Sequence, residues 1–194
     1  MGASNLRADK ASELDPRNKP ALPIDIVRPY WYAASTRANH EKNVAEHLSA
    51  RSVEHFLPLY ESVRRWKDRR VRLQMPLFPG YVFVRISLRD RLQVLQIPSV
   101  ASLVSFNGIP ATLPESEITA LKAGIEHGLQ AVPHPYLKVG KRVRITTGPL
   151  EGLGDIVIRK KNALRFVISL DIIQRSVVVE LDQADLGPLL PATR

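Results

Sequence analysis

The feature that most constrains this chain is a change in its hydrophobic period near residue 130. Before it, apolar residues alternate in some stretches and recur every three or four positions in others, so strands and helices must be packed together. After it, Val143 and Ile145, Ile156 and Ile158, Phe166, Ile168 and Leu170, and Val177 to Leu181 mark only short strands, joined by turns rich in Gly, Asn and Asp. Pro133, His134 and Pro135 interrupt the pattern between the two halves. A leader at 1–29, a mixed domain at 30–128, a linker at 129–137 and an all-β domain at 138–189 are therefore expected. Pro16, Pro20, Pro23 and Pro29, with few apolar residues between them, predict that the leader is disordered.

Within the first domain Tyr30–Ser35 reads as a strand, Asn39 as a helix N-cap with Glu41 in the first turn, and Val44, Ala45 and Leu48 as a helical face. Val53–Tyr60 has strand composition but contains Pro58, which fits only an edge or a bulge. Val71, Leu73, Met75 and Leu77 alternate with polar residues and proline, and Tyr81–Ile86 follows a Pro79-Gly80 turn as another strand. Leu88, Leu92 and Leu95 predict a short helix ended by Pro98. Val100–Phe106 predicts a strand closed by Asn107-Gly108, and Ile118, Leu121 and Ile125 predict a last helix opened by Pro114. The fold class expected is α+β, an α/β sandwich with helices covering one face of an antiparallel sheet, followed by a small β-barrel whose closure removes exposed edges.

With 28 Lys and Arg against 19 Asp and Glu the chain carries +9, spread as +1 over 1–30, +4 over 31–131 and +4 over 132–194. That balance favours a polyanion such as nucleic acid, bound by folded parts rather than by a tail. The chain has no cysteine, which excludes disulfides, thiol chemistry and cysteine-ligated zinc. Its five histidines form no metal-ligand pattern, and Gly148, Gly152 and Gly154 lack the lysine and following helix of a phosphate loop. No nucleophile elbow is present either. Catalytic, metal and cofactor sites are none of them expected, and the chain is read as a non-enzyme. No run approaches the about 18 apolar residues of a membrane span, and the N-terminus lacks the apolar core of a signal peptide, so a cytoplasmic location is expected.

Two segments stand out. Arg64-Arg65-Trp66-Lys67-Asp68-Arg69-Arg70-Val71-Arg72 holds six basic residues in nine and falls between two strands, which predicts a hairpin tip. It reads either as a solvated turn or as a contact with nucleic-acid backbone. Leu77–Val84 sends Tyr81 and Phe83 to one sheet face and Val82 and Val84 to the other. If the valines are core, the aromatics form an exposed apolar surface of the kind that marks a protein interface.

Trp31-Tyr32, the run PLFPGYVFV at Pro76–Val84 and KVGKRVRITTGPLEGLGDIVI at Lys138–Ile158 together resemble the NusG family. The first two are similar to its N-terminal (NGN) domain, the third to the KOW motif of its C-terminal SH3-like barrel. Leu77-Phe78-Pro79-Gly80 and the stretch leading to it are similar to the specialised antiterminator paralogues of the RfaH and UpxY kind. The resemblance implies a transcription elongation and antitermination factor that docks on the clamp helices of the largest RNA polymerase subunit and suppresses pausing and termination. It implies polymerase contacts at Ala33, Ser35, Phe78, Tyr81 and Phe83, and contacts to the non-template DNA strand at Arg37, His47 and Lys67, beside Arg64, Arg65, Arg69 and Arg70. It also implies a KOW domain that recruits a ribosomal protein or the termination factor Rho. A monomer without cofactors is expected. Two alternatives stand beside this reading: a general factor coupling to Rho or the ribosome, and a KOW-type RNA-binding protein at the ribosome. The β-propensity of Ile156-Val157-Ile158 and Val177-Val178-Val179 predicts strands rather than a helical hairpin in the second half.

Overall fold

The structure, a computed structural model, describes residues 25–66, 69–128, 131–134, 141–144, 154–160, 163–181 and 190–191. The leader at 1–24, Lys67, Gly148, Gly152 and most of the expected linker lie outside the described residues.

The first half is built on a sheet of β1 (Tyr30–Thr36), β2 (Glu54–Phe56), β5 (Tyr81–Ile86) and β6 (Val100–Leu103), in the order β2-β5-β1-β6. A short β9 (Thr112–Leu113) also pairs with β1, and every pairing is antiparallel. In β1 and β5 nearly every residue is buried, on both faces. That is the physical meaning of the unbroken apolar runs YWYAA and YVFV: a strand covered on one side alternates, whereas a strand covered on both does not.

Helices therefore flank both faces, where one had been expected. Tyr32, Ala34, Val82 and Val84 pack with Val44 and Leu48 of α1 (Glu41–Ala50) and Val94 of α2 (Arg91–Leu95). Trp31, Ala33 and Phe83 pack on the other side with Ile118 and Leu121 of α3 (Glu115–Glu126). The helix expected on Leu88, Leu92 and Leu95 forms as a 3-10 turn at Leu88–Asp90 leading into α2. Leu92, however, is 57% exposed, and Val94 takes the core position.

Two local readings also change. Asn39 lies in the left-handed region at φ 64° and does not cap α1; the cap position is His40, without a side-chain bond. The Glu41 carboxylate is buried and accepts the Gly80 N–H at 2.7 Å, so it ties the helix to a distant turn. The stretch 53–60 is two strands, because pairing stops at Phe56 and resumes at Leu59 beyond Pro58. The Asn107-Gly108 turn forms as expected: both residues have positive φ, 51° and 78°, and join β7 (Ser105–Phe106) to β8 (Ile109–Pro110).

β3 (Leu59–Trp66) and β4 (Arg69–Pro76) pair only with each other, as a hairpin separate from the main sheet. The second half is one antiparallel sheet in the order β10-β14-β13-β12-β11-β15. Four of its strands are those expected: β11 (Lys141–Arg144), β12 (Gly154–Lys160), β13 (Ala163–Leu170) and β14 (Arg175–Leu181). β10 (Ala131–His134) comes from the expected linker and pairs along β14, and β15 (Leu190–Pro191) edges β11. Among the described residues no pairing joins β10 to β15, and no helix occurs beyond α3.

Candidate functional site

The aromatic face starts from a turn. Gly80 sits at φ +84°, a conformation L side chains rarely adopt, and a Cβ there would meet only the Thr36 carbonyl at 3.9 Å. Backbone conformation rather than crowding thus calls for glycine. The turn is held by the Thr36 N–H donating to the Gly80 carbonyl at 2.8 Å and by Glu41 from the other side. It swings Leu77 and Phe78 under the sheet, where the Phe78 ring meets Phe83 edge-on at 5.4 Å and Phe56 stacks on Phe83 at 6.2 Å.

The β1–β5 register places Ala33 opposite Phe83 and Ser35 opposite Tyr81, so four of the five expected polymerase-contact residues, Ala33, Phe78, Tyr81 and Phe83, converge in or against one cluster. Ser35 lies half-buried at its edge, between Tyr81 and Ser102. The expected contact residues did not include Trp31, Leu113, Ile118 and Leu121, which belong to the same cluster. For Trp31 the signal was present, since it lies two residues before Ala33 on the same side of β1.

An ionic strap borders this face. Lys122 Nζ stands 4.5 Å over the Trp31 ring and 5.5 Å over Phe56, and lies 3.9 Å from Glu54. Arg85 bridges Glu54 at 3.3 Å and Glu115 at 3.6 Å.

The aromatic surface is buried, contrary to the exposed face that a valine core would have left. Phe83 and Ala33 are fully buried, and Leu170, Ile173 and Val177 from the end of β13, the following turn and β14 belong to the same cluster. The cover brings Asp171 towards α3. Glu117 there is half-buried, and desolvation, then the like charge of Asp171, push its carboxyl up from 4.5 to about 7.

The basic hairpin divides into two faces. Cross-strand pairing puts Glu61, Val63 and Arg65 with Gln74, Arg72 and Arg70 on one face, and all six are open to water. The opposite face carries Tyr60, Ser62, Val71, Leu73 and Met75, all half-buried, with Arg64 and Arg69 exposed towards its tip. Arg65 lies directly opposite Arg70, a like-charge pair that disfavours the hairpin until an anion compensates it. Only Arg72 in this group is ion-paired among the described residues, with Glu61 at 3.6 Å. The structure thus gathers Arg64, Arg65, Arg69 and Arg70 on one element. It leaves Arg37 just beyond β1 and His47 on α1, and no described hydrogen bond or ion pair links either to the hairpin.

Among the described residues no group of His, Cys, Asp and Glu could hold a metal ion, and no helix is long and apolar enough to cross a membrane.

A family model described as "Transcription termination factor nusG" matches residues 29–122. The chain is 28% identical over 169 residues to the transcription termination/antitermination protein NusG of Vibrio vulnificus (strain CMCP6), covering 78% of this chain and 91% of that protein. It is 27% identical over 169 residues to the protein of the same name from Escherichia coli (strain K12), covering 78% and 92%. A solved structure titled "Domain interaction in Thermotoga maritima NusG" is similar at 21% identity and a TM-score of 0.49, covering 82% of this chain and 97% of that one.

Proposed function

From the premise that residues 29–122 form a domain of the NusG family, we propose that this chain is a transcription termination/antitermination factor that docks on RNA polymerase through its aromatic sheet face. The observation that carries the reading is the cluster of Trp31, Ala33, Phe78 and Phe83, with Tyr81 at its margin, all on one side of the β1–β5 pair. An apolar surface of that shape suits the side of an apolar helical partner, here the clamp helices of the largest subunit. By binding one arrangement of the clamp better than the others, the domain shifts the polymerase towards its closed, elongating state and away from paused ones.

The hairpin adds charge. Arg64, Arg65, Arg69 and Arg70, with Arg37, His47 and Lys67, contact the non-template DNA strand through its phosphates, and the uncompensated Arg65–Arg70 pair supports an anionic partner there. The sheet of the second half recruits a further factor, a ribosomal protein or Rho.

The test is binding of the full chain to purified core polymerase. Tyr81→Ala, on a half-buried residue at the margin of the face, is expected to weaken binding while the melting curve stays cooperative; unchanged binding would refute the docking assignment. The description of the matching family as a termination factor favours a second reading, in which the chain supports Rho rather than opposing termination. Rho-dependent termination in vitro, with and without the protein, separates the two by sign.

A further inference from the structure

Val44 and Leu48 lie on the buried face of α1, and the same helical spacing, carried back one turn, falls on Glu41. An apolar side chain is expected at such a position. Glu41 instead puts a carboxylate there, 2% exposed, and among the described residues no ion pair compensates it. Burying a charge costs stability unless the fold supplies partners. Those it has are the positive first turn of α1 and the Gly80 N–H, 39 residues along the chain, at 2.7 Å.

Gly80 is the third residue of a tight turn, Phe78-Pro79-Gly80-Tyr81, closed by the Tyr81 N–H donating to the Phe78 carbonyl at 3.1 Å. Proline second and glycine third, the glycine at φ +84°, mark a type II turn. Type I, the commoner form, closes four residues with the same terminal hydrogen bond. It differs by about a half-turn rotation of the central peptide, the one that carries the Gly80 N–H. Proline and glycine at these positions permit both forms. The two differ in where that N–H points.

We propose that Glu41 is a positioning residue, whose carboxylate takes the Gly80 N–H and holds the turn in the type II form on which the placing of Phe78 and Tyr81 in the aromatic face depends. The consequence for docking rests on the reading given above; the selection of the turn does not. Helix and sheet grip the two sides of one residue, because the Gly80 carbonyl accepts the Thr36 N–H at 2.8 Å. Pro79 is exposed and Gly80 half-buried, so an N–H released by Glu41 can rotate out to water. Without the carboxylate the turn divides between two forms, and a partner that fits one of them meets an affinity reduced by that fraction.

The test uses the full chain, nitrogen-labelled for proton–nitrogen NMR, and purified core polymerase. In Glu41→Ala the Gly80 amide proton is expected to move upfield as its charge-assisted hydrogen bond is lost. Polymerase binding should weaken roughly tenfold. Glu41→Gln keeps an acceptor oxygen at the same reach and should restore most of both. Glu41→Leu refills the buried face without an acceptor: it should melt above Glu41→Ala yet bind polymerase no better, whereas a role confined to packing would restore binding along with the melt. A Gly80 resonance unmoved in Glu41→Leu, with the melt still cooperative, overturns the selection of the turn. A moved resonance with binding like wild type in that variant, while Tyr81→Ala weakens binding, overturns the positioning role. If Tyr81→Ala also binds like wild type, the docking reading is what fails, and the selection of the turn stands.

Discussion

The central sheet and the β3–β4 hairpin are made of the same kind of strand, and they end in opposite situations. Phe83 on β5 is enclosed on its face of the sheet by α3 and by the 170–177 turn, while Arg65 and Arg70 on the hairpin face water. Each is incomplete in its own way: the sheet face hides apolar area that only another surface can cover, and the hairpin holds like charges that only an anion can compensate. The first is covered from within the chain, whereas the second stands open to water, where the interactions of its charges weaken as ionic strength rises.

The comparison breaks most readily at Phe83. Phe83→Ala is expected to cost about 3–5 kcal/mol in urea unfolding, since the ring is fully buried between Phe56 and Phe78. A loss near zero would mean that the face is not packed as described. Next comes Gly80→Ala, where forcing an alanine to φ +84° should cost roughly 1–2 kcal/mol in the same measurement.

A smaller effect tests the contact between the 170–177 turn and α3. Glu117 holds its proton more firmly in the closed structure, at about 7, than in the unfolded chain, at 4.5. The native state therefore binds more protons across that interval, and its stability should be intact below pH 4.5 and fall as pH rises towards 7. Glu117→Gln should flatten that slope and leave the protein roughly 1 kcal/mol more stable than wild type at pH 8, a figure reduced for the solvent that reaches the carboxyl. Thermal melts at pH 5 and pH 8 provide the check.

The smallest change in stability belongs to the hairpin. Arg65→Ala with Arg70→Ala is expected to alter unfolding free energy by no more than about 0.5 kcal/mol, because both side chains are exposed. The same pair should lower the slope of log affinity for single-stranded DNA against log salt by about 1.4. A large stability loss with an unchanged slope would reverse the contrast between the two regions.

Much of this architecture was legible in the residues. Alternation located β4, the Pro79-Gly80 turn and the apolar run after it located β5, Asn107-Gly108 located a turn, and the β-branched runs at 156–158 and 177–179 located strands in the second half. The misreadings share a cause: each concerned where a side chain goes once a second element arrives. Leu92 fits a helical face with Leu88 and Leu95 by spacing, yet Val94 and Ile97 meet the sheet. Asn39 has the chemistry of a cap, but the chain enters α1 through a left-handed residue there. Residues 131–134 resemble a linker because Pro133 interrupts them; β10 nevertheless pairs with β14 at the sheet edge, where a missing N–H is tolerated.

From the order of its residues alone this chain determined its strands, its turns, the placing of its charge and the pairing of aromatics with one sheet face, because those follow from local conformation and period. Tertiary structure alone decided that helices cover both faces of the sheet, and that the clustered basic residues divide between two sides of a hairpin. It also decided that the aromatic face is closed by a turn about ninety residues further along the chain. The reason is that burial is a property of pairs of surfaces: a sequence shows which surfaces are apolar, and only the folded chain shows which of them meet.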